Sequence, residues 1–225
     1  MRSFDVGDRL RSCAELVREG AVLADVGTDH AYLPIYLLST GKISRAILSD
    51  INQGPLDKAR ENAERHGMLD KVAFVLCNGA KELLKYAPTD YCICGMGGEL
   101  IVDIISHAPG LMNKNVHLIL QPMTKPEVLR DYLYRNGFSI ICESYSYEDG
   151  KHYVAMLARY TSECLEPTLA DAYFGMRDTL RIGDAYPGYV ARKKAALEAV
   201  IEGKRLGGAD ASYEKYLLDE ISNRM

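Results

Sequence analysis

Residues 25–31, with the sequence DVGTDHA, are the first group whose types and spacing suit ligand chemistry. Gly27 lets the backbone approach a ligand closely. The run has one glycine where dinucleotide sites use three to cradle a diphosphate, and Asp29 stands where those sites keep glycine. A carboxylate there repels a diphosphate but favours a sulfonium and an α-amino group, the two cations of S-adenosylmethionine. We therefore expect this cofactor to be bound by Asp25, Gly27, Thr28, Asp29 and His30.

A further acidic residue, Asp50, follows Gly27 by 23 residues. This is close to the interval of about 20 residues at which an acidic side chain takes the ribose hydroxyls of a bound nucleotide. An aspartate at a strand end is by itself more often a helix cap or turn former, and the register with Gly27 favours the ribose role. The remaining cofactor candidates follow the second and third predicted strands, where Asn-Gly is also an ordinary turn sequence: Ile51, Asn78, Gly79 and Ala80.

The run CGMGGE at residues 94–99 removes side chains from the end of another apolar segment. Glycines on both sides of Met96 would let a methyl donor and an incoming nucleophile approach the backbone, although a tight strand-to-helix turn also explains them. Gln121 ends a further apolar segment, and we expect its amide to contact the edge of a base. Cys94 is the thiol expected near the pocket. The candidates for catalysis are Asp29, Met96, Gly97, Gln121 and Pro122, and Gly95 and Met96 are also cofactor candidates.

The elements that must position these residues alternate between short apolar runs and amphipathic segments, which is typical of repeated βα units around a parallel sheet. The predicted strands cover residues 21–27, 46–51, 72–78, 90–96 and 116–122. The predicted helices cover residues 31–39, 54–66, 80–86, 98–107 and 125–136. In an open α/β sheet the ligand lies in a crevice at the carboxyl ends of the strands, where all three groups of candidates fall.

After the fifth unit the pattern changes to two strand-like runs joined through Glu148, Asp149 and Gly150, which predicts a β-hairpin. Parallel strands with a terminal antiparallel hairpin form the Rossmann-like class I methyltransferase sheet. The segment 161–170 loses periodicity and is interpreted as a linker, and two amphipathic segments after Pro187 predict an α-helical hairpin. We expect a methyltransferase domain over residues 1–160 and a helical, coiled-coil-like domain over residues 161–225.

Composition narrows the class of protein. A hydrophobic fraction of 48% with 26% charged residues is ordinary for a globular chain, and no apolar run approaches the roughly 18 residues needed to span a bilayer. The N-terminus shows no secretory or transit signal, so a soluble, cytoplasmic protein without a membrane partner is expected. The six cysteines lack CxxC or Cys/His ligand spacing, which argues against a metal site and a disulfide framework.

The charge of the chain is uneven. The formal net charge is -4, but residues 177–205 hold seven basic against four acidic side chains. We expect Arg192, Lys193 and Lys194 to bind the phosphate backbone of a nucleic acid, although a solvated helix face would also account for this basic triplet. Arg2, Arg9 and Arg11 are expected to line the entrance to the crevice, and Arg9 and Arg11 are expected to contact RNA.

Taken together, these motifs resemble those of the bacterial tRNA adenine-N1 methyltransferases that modify position 22, the TrmK family. The resemblance covers the whole chain and is most specific in GTDHAYLP, GMGG and LQP, followed by the helical C-terminus. It implies S-adenosylmethionine as cofactor, tRNA as partner and methyl transfer to N1 of an adenine.

The in-plane lone pair of N1 can attack a sulfonium methyl without a general base, so alignment and tolerance of positive charge would dominate catalysis. Asp29 and the backbone of residues 95–98 are expected to supply both, with the base displaced against Tyr32 or Met96. Tyr32 is equally well explained as core packing. A non-catalytic RNA-binding module, a nicotinamide dehydrogenase and a methyltransferase for another RNA or a small molecule remain alternatives. A monomer is expected.

Overall fold

An eight-stranded sheet runs through the part of the chain that the computed structural model describes, residues 5–224. Its order is β3-β2-β1-β4-β5-β7-β6-β8. The strands β1 to β5 pair in parallel, β7 is antiparallel to β5 and β6, and β8 is parallel to β6. The strands are β1 Val22–Val26, β2 Arg45–Asp50, β3 Val72–Leu76, β4 Asp90–Gly97, β5 His117–Thr124, β6 Phe138–Glu148, β7 Lys151–Tyr160 and β8 Leu180–Ile182.

Helices cover both faces of this sheet. They are α1 Asp8–Leu16, α2 Tyr32–Ser39, α3 Gln53–Arg65, α4 Gly98–Ser106, α5 Pro126–Arg135, α6 Leu169–Phe174, α7 Tyr186–Leu206 and α8 Ser212–Arg224. The segment predicted as a helix over residues 80–86 is instead a 3-10 helix, Lys81–Tyr86. Among the described residues no helix is both long and apolar enough to cross a membrane.

The predicted class of sheet is confirmed, and each of the five predicted parallel strands is present within two residues of its expected ends. The predicted hairpin turns at Asp149 and Gly150, whose φ angles are 49° and 75°. Two positive φ values at the centre of a two-residue turn match the twist of the flanking strands. The hairpin therefore forms where the Asp-Gly pair requires it.

The chain after residue 160 holds structure that the sequence pattern did not predict. The helix α6 begins with a capping box between Thr168 and Asp171, and the three-residue strand β8 extends the sheet beside β6. The helices α7 and α8 form the expected helical hairpin. The division into domains at residues 1–160 and 161–225 stays a prediction, and β8, from the second range, is an edge strand of the sheet.

The core has two layers because helices cover both faces of the sheet. On one face the buried helical side chains come from α1, α2 and α3, and on the other they come from α4, α5, α6, α7 and α8. Neighbouring residues of β1 divide between the layers, with Leu23 in the first and Ala24 in the second. Strands covered on both faces have continuous apolar sequences, which explains the runs that predicted them.

A fully buried ion pair links the sheet to the chain that follows it. The Nε of Arg130, on α5, donates to Oε1 of Glu143, on β6, at 2.6 Å, and neither side chain is exposed. The Tyr145 hydroxyl donates to the other carboxylate oxygen at 2.6 Å. The Nη1 of Arg130 donates to the carbonyls of Ala172 and Tyr173 at 3.2 and 3.1 Å, so one guanidinium joins α5, β6 and α6.

We expect Glu143→Gln to lower the free energy of unfolding by about 3–5 kcal/mol, because it leaves the buried Arg130 charge without its counter-ion. Urea unfolding followed by circular dichroism measures this loss. Glu202→Gln is the matched control, since Glu202 pairs with Arg205 on the exposed surface of α7, and it should leave the unfolding midpoint unchanged. A loss below about 1 kcal/mol for Glu143→Gln would contradict the assigned role.

Candidate active site

A crevice of about 330 Å³ opens at the carboxyl ends of β1 and β4. From β1 the sheet continues through β2 to β3, and from β4 it continues through β5, so the crevice lies where the strand order reverses. Ligands of open α/β sheets bind at this switch point. The walls include seven of the predicted cofactor-binding and catalytic residues, namely Asp25, Gly27, Thr28, Asp29, His30, Gly95 and Met96.

Backbone conformation shapes the floor of this crevice. Gly27 has a φ of 76°, and a Cβ at that position would lie 2.0 Å from Cε of Met96. The Met96 side chain therefore packs directly over the turn after β1, and the positive φ of Gly27 favours glycine at this position. Gly95 has a φ of 78° and Ala31, just before α2, has a φ of 56°. The left-handed alanine is a strained conformation of the kind that clusters at functional sites.

Two carboxylates of the crevice differ in environment. Asp25 is buried, and burial, reinforced by the charge of Asp50, raises its pKa to about 6. The Asp29 side chain is 73% exposed at the mouth, where Nε2 of His30 lies 3.5 Å from its carboxylate. The His30 ring stacks on Tyr32 with the ring centroids 5.1 Å apart. The site thus offers one shielded carboxyl group inside and one solvated carboxylate at its mouth.

The predicted adenosine contacts follow the strand ends beside the crevice. The Ser49 carbonyl accepts hydrogen bonds from the backbone N–H groups of Gly27 and Thr28, both at 2.8 Å, so the turn after β1 is fixed to the end of β2. The next residue, Asp50, accepts the Asn52 N–H at 2.7 Å. Ile51 is 61% exposed, which leaves an apolar side chain free to cover a ring. Asn78, Gly79 and Ala80 line a separate cavity of about 220 Å³ beside α4.

Gln121 has a role that the sequence did not indicate. Its side chain is fully buried, and its Oε1 accepts from Nη1 of Arg9 at 2.8 Å and from the backbone N–H of Gly95 at 3.2 Å. The amide therefore holds the glycine turn and α1 in place, and does not present itself to the edge of a base. Pro122, also buried, pairs with Met96 across β4 and β5.

The glycines around Met96 differ in role, since some permit close packing and one borders the crevice. A Cβ at Gly98 would lie 2.3 Å from the Lys125 carbonyl oxygen, so Gly98 permits close packing of α4 against the loop before α5. A Cβ at Gly97 would lie 3.2 Å from Oγ1 of Thr124. The turn interpretation is therefore correct for Gly98, whereas Gly95 faces the crevice.

The N-terminal arginines separate in the structure. Arg9 lies in the crevice wall, with its guanidinium 5.8 Å from the ring centroid of Tyr153. Arg11 is on the surface and pairs with Asp5 at 2.6 Å. Arg2 lies outside the described residues. The placement of Arg9 depends on contacts with Gln121 and Tyr153, which are distant in the sequence and gave no local signal.

The basic residues of α7 also differ from one another. Lys193 is 18% exposed, pairs with Glu127 at 3.2 Å and lies 4.0 Å from the ring centroid of Tyr173. It braces α7 against α5 and α6 and is not directed to solvent. Arg192 and Lys194 are exposed, and Lys194 lies 3.9 Å from Glu198 on the same helix. Two of the three predicted RNA contacts therefore remain on the surface.

The donor set of the crevice fits S-adenosylmethionine. Asp25 and Asp29 suit its cationic groups, the Arg9 guanidinium suits its carboxylate, and the space beside Gly95 admits a chain close to the backbone. Asp50 at the adjacent strand end suits the ribose. No group of three or more His, Cys, Asp or Glu side chains in residues 5–224 is arranged to hold a metal ion.

Comparisons with known proteins agree with this geometry. A methyltransferase-domain family model matches residues 6–156. The tRNA (adenine(22)-N(1))-methyltransferase of Bacillus subtilis (strain 168) is 34% identical over 158 residues, which are 70% of this chain and 66% of that protein. The matches to curated relatives span between 62% and 68% of the length of those relatives.

Two solved structures are similar over nearly the whole chain. A Streptococcus pneumoniae protein described as a candidate tRNA (m1A22) methyltransferase, in complex with S-adenosyl-L-methionine, is 31% identical with a TM-score of 0.80 and covers 95% of this chain and 100% of its own. Mycoplasma capricolum TrmK in complex with S-adenosyl-homocysteine is 28% identical with a TM-score of 0.75. That match covers 97% of this chain and 94% of the neighbour.

The raised pKa of Asp25 predicts a pH dependence of cofactor affinity. Its carboxyl is protonated below about pH 6 and ionised above, and the ionised form attracts a cation. Binding of S-adenosylmethionine should therefore release a proton and tighten by about tenfold between roughly pH 5 and pH 7. Isothermal titration calorimetry in buffers of different ionisation enthalpy measures both effects. The same pH dependence in Asp25→Asn, which lacks the titrating group, would contradict the assignment.

Proposed function

We propose that this chain, which belongs to the bacterial tRNA (adenine(22)-N(1))-methyltransferase family, transfers a methyl group from S-adenosylmethionine to N1 of the adenine at position 22 of tRNA. The observation that carries the proposal is the acidic crevice at the switch point of the sheet, where Gly95 borders the same space as Asp25. A methyltransferase needs this combination of a site for a cation and a close approach to the backbone.

The cofactor is held by groups at three strand ends. Asp25 and Asp29 attract the α-amino and sulfonium groups, assisted by Thr28 and His30 in the same wall, and Arg9 pairs with the carboxylate. Asp50 accepts the ribose hydroxyls. Exposed Ile51 and the loop of Asn78, Gly79 and Ala80 would hold the adenine of the cofactor.

Bound S-adenosylmethionine supplies an electrophilic methyl group attached to a sulfonium. The lone pair of adenine N1 forms the new N–C bond while the S–C bond breaks and its electron pair passes to sulfur. The products are S-adenosylhomocysteine and a cationic 1-methyladenine, and N1 needs no general base since it carries no proton. The protein therefore contributes alignment and a favourable field for positive charge.

The chain supplies alignment through the ends of β4 and β5. Met96 and Pro122 are paired at the ends of the two strands, and Gly97 follows Met96 and pairs with Thr124. Gln121 acts as a positioning residue, because its Oε1 fixes the Gly95 N–H at 3.2 Å. Asp29 at the mouth favours the cationic product.

The substrate approaches along the C-terminal helices. The exposed Arg192 and Lys194 suit contacts with RNA phosphates, while Lys193 holds α7 in position. We place the reaction in the cytoplasm, where the enzyme acts as a monomer, with the catalytic domain in residues 1–160 and the helical domain in residues 161–225.

Incubation of the protein with methyl-labelled S-adenosylmethionine and total bacterial tRNA tests the proposal. We expect label in tRNA, 1-methyladenosine as the modified nucleoside on mass spectrometry, and position 22 as its site by primer extension. A transcript in which position 22 is changed to guanosine is the matched control and should accept no label. Labelled protein-bound cofactor with no labelled RNA would refute the proposal.

Asp29→Ala tests the carboxylate at the mouth of the crevice. The exposed position leaves the fold intact, and we expect kcat/KM for tRNA to fall by about 100-fold, since a charge aimed at the developing cation is lost. Steady-state kinetics and a thermal melt measure the two properties. Asp57→Ala, at an exposed aspartate on α3, is the control. Wild-type turnover in Asp29→Ala would remove Asp29 from the mechanism.

A further inference from the structure

We propose that the target nucleotide of the RNA binds in a second cavity, which the ends of β5 and β7 form together with α7. The cavity has a volume of about 480 Å³, within the range of small-molecule sites. Its wall includes Pro122 and Met123 from β5, Lys151 and Tyr153 from β7, and Arg192 from α7. This assignment rests on the proposed function and names the residues that receive the acceptor.

The cavity adjoins the cofactor crevice. Pro122, in its wall, pairs across the sheet with Met96, in the wall of the crevice. The guanidinium of Arg9, which also lines the crevice, lies 5.8 Å from the ring centroid of Tyr153 in the cavity. A methyl group held in the crevice and an acceptor held in the cavity would therefore face each other across the paired residues Met96 and Pro122.

The two spaces have opposite charge. The crevice is lined by Asp25 and Asp29 against the single cation Arg9. The cavity is lined by four basic side chains, Lys125, Lys151, Arg192 and Lys193, against the single acid Glu127. The opposite charges of the two spaces direct the two ligands to different places. A cationic methyl donor is attracted to the crevice, and a phosphate-bearing strand is attracted to the cavity.

Ion pairs within the cavity wall identify which cations are available to RNA. Lys193 pairs with Glu127, and Lys125 pairs with Glu99 at 2.6 Å. Lys151 is exposed, and exposed Arg192 donates only to the Gly150 carbonyl, at 3.3 Å, among the contacts of the described residues. Lys151 and Arg192 flank the start of β7 and are suited to hold the phosphates on either side of the target nucleotide.

The wall between these cations includes aromatic and apolar side chains. A base displaced from an RNA stack loses its stacking energy unless protein side chains replace its neighbours. Tyr153 is half-buried, Met123 is 43% exposed, and Pro122 lies beside them. We assign Tyr153 as the ring on which the displaced base stacks. An aromatic ring stacks on the face of any base and leaves the Watson–Crick edge of that base uncovered.

The placement gives α7 a direct part in the reaction site. Tyr189 and Ala196 complete the wall opposite β7, and Lys193 fixes the helix to Glu127 on α5. The acceptor cavity is consequently incomplete without the C-terminal helical hairpin, although the crevice contains no residue of it.

Two kinds of variant test the cavity in the full-length protein. Tyr153→Ala should lower kcat/KM for tRNA by at least about fivefold, the low end of the loss of one stacking contact, and Tyr153→Phe should retain most activity. Lys151→Glu and Arg192→Glu should each raise KM for tRNA several-fold, with a shallower salt dependence. Lys58→Glu, at an exposed lysine on α3 away from the cavity, is the control for charge.

Affinity for S-adenosylmethionine, measured by calorimetry on the same proteins, separates the possible results. Unchanged cofactor affinity with reduced kcat/KM supports the cavity as the acceptor site. Wild-type kinetics in Tyr153→Ala and Arg192→Glu would overturn the cavity and leave the proposed function intact. A loss of cofactor affinity as large as the loss of kcat/KM would assign Tyr153 to the crevice through Arg9 and also overturn it. Failure of the wild type to methylate any tRNA would refute the proposed function itself.

Discussion

The buried ion pair between Arg130 and Glu143 is the constraint on which the position of the C-terminal helices against the sheet depends. The guanidinium joins α5 to β6 and to the carbonyls of α6, and the Tyr145 hydroxyl occupies the second carboxylate oxygen. The Tyr145 ring in turn packs edge-on against Tyr186 and Tyr189 at the start of α7. A buried charge tolerates little displacement of its partner, so this network sets where α7 crosses the sheet.

The position of α7 on the sheet divides the site into two spaces. At the ends of β4 and β5 the sheet separates an acidic crevice, with Asp25 inside, from a basic cavity whose far wall is α7. Since methylation of a nucleic acid brings a cationic donor to a polyanionic acceptor, two adjoining spaces of opposite charge keep each reactant out of the other's site. The close contact between Met96 and Gly27 marks the boundary on the cofactor side.

Much of the site could be predicted because its residues are local to strand ends. Gly27, Asp29 and Met96 fall in one crevice because they lie at the carboxyl ends of the neighbouring strands β1 and β4. The roles of Gln121 and Lys193 could not be predicted. A strand-end glutamine has the same sequence signature whether it faces a ligand or, as here, accepts from Arg9 112 residues away, and a basic triplet on a helix does not reveal which member meets an acid on another element.

The sequence by itself determined the order of the elements, the sheet class and the chemical character of the cofactor. These follow from periodicity, from Asp-Gly at the hairpin and from a carboxylate where a phosphate site keeps glycine, all of which act over a few residues. Only the tertiary structure decided that β8 joins the sheet, that Arg9 lines the crevice while Arg11 does not, and that α7 closes a second cavity. Those outcomes depend on contacts between distant segments, which packing and buried charge select and local patterns do not encode.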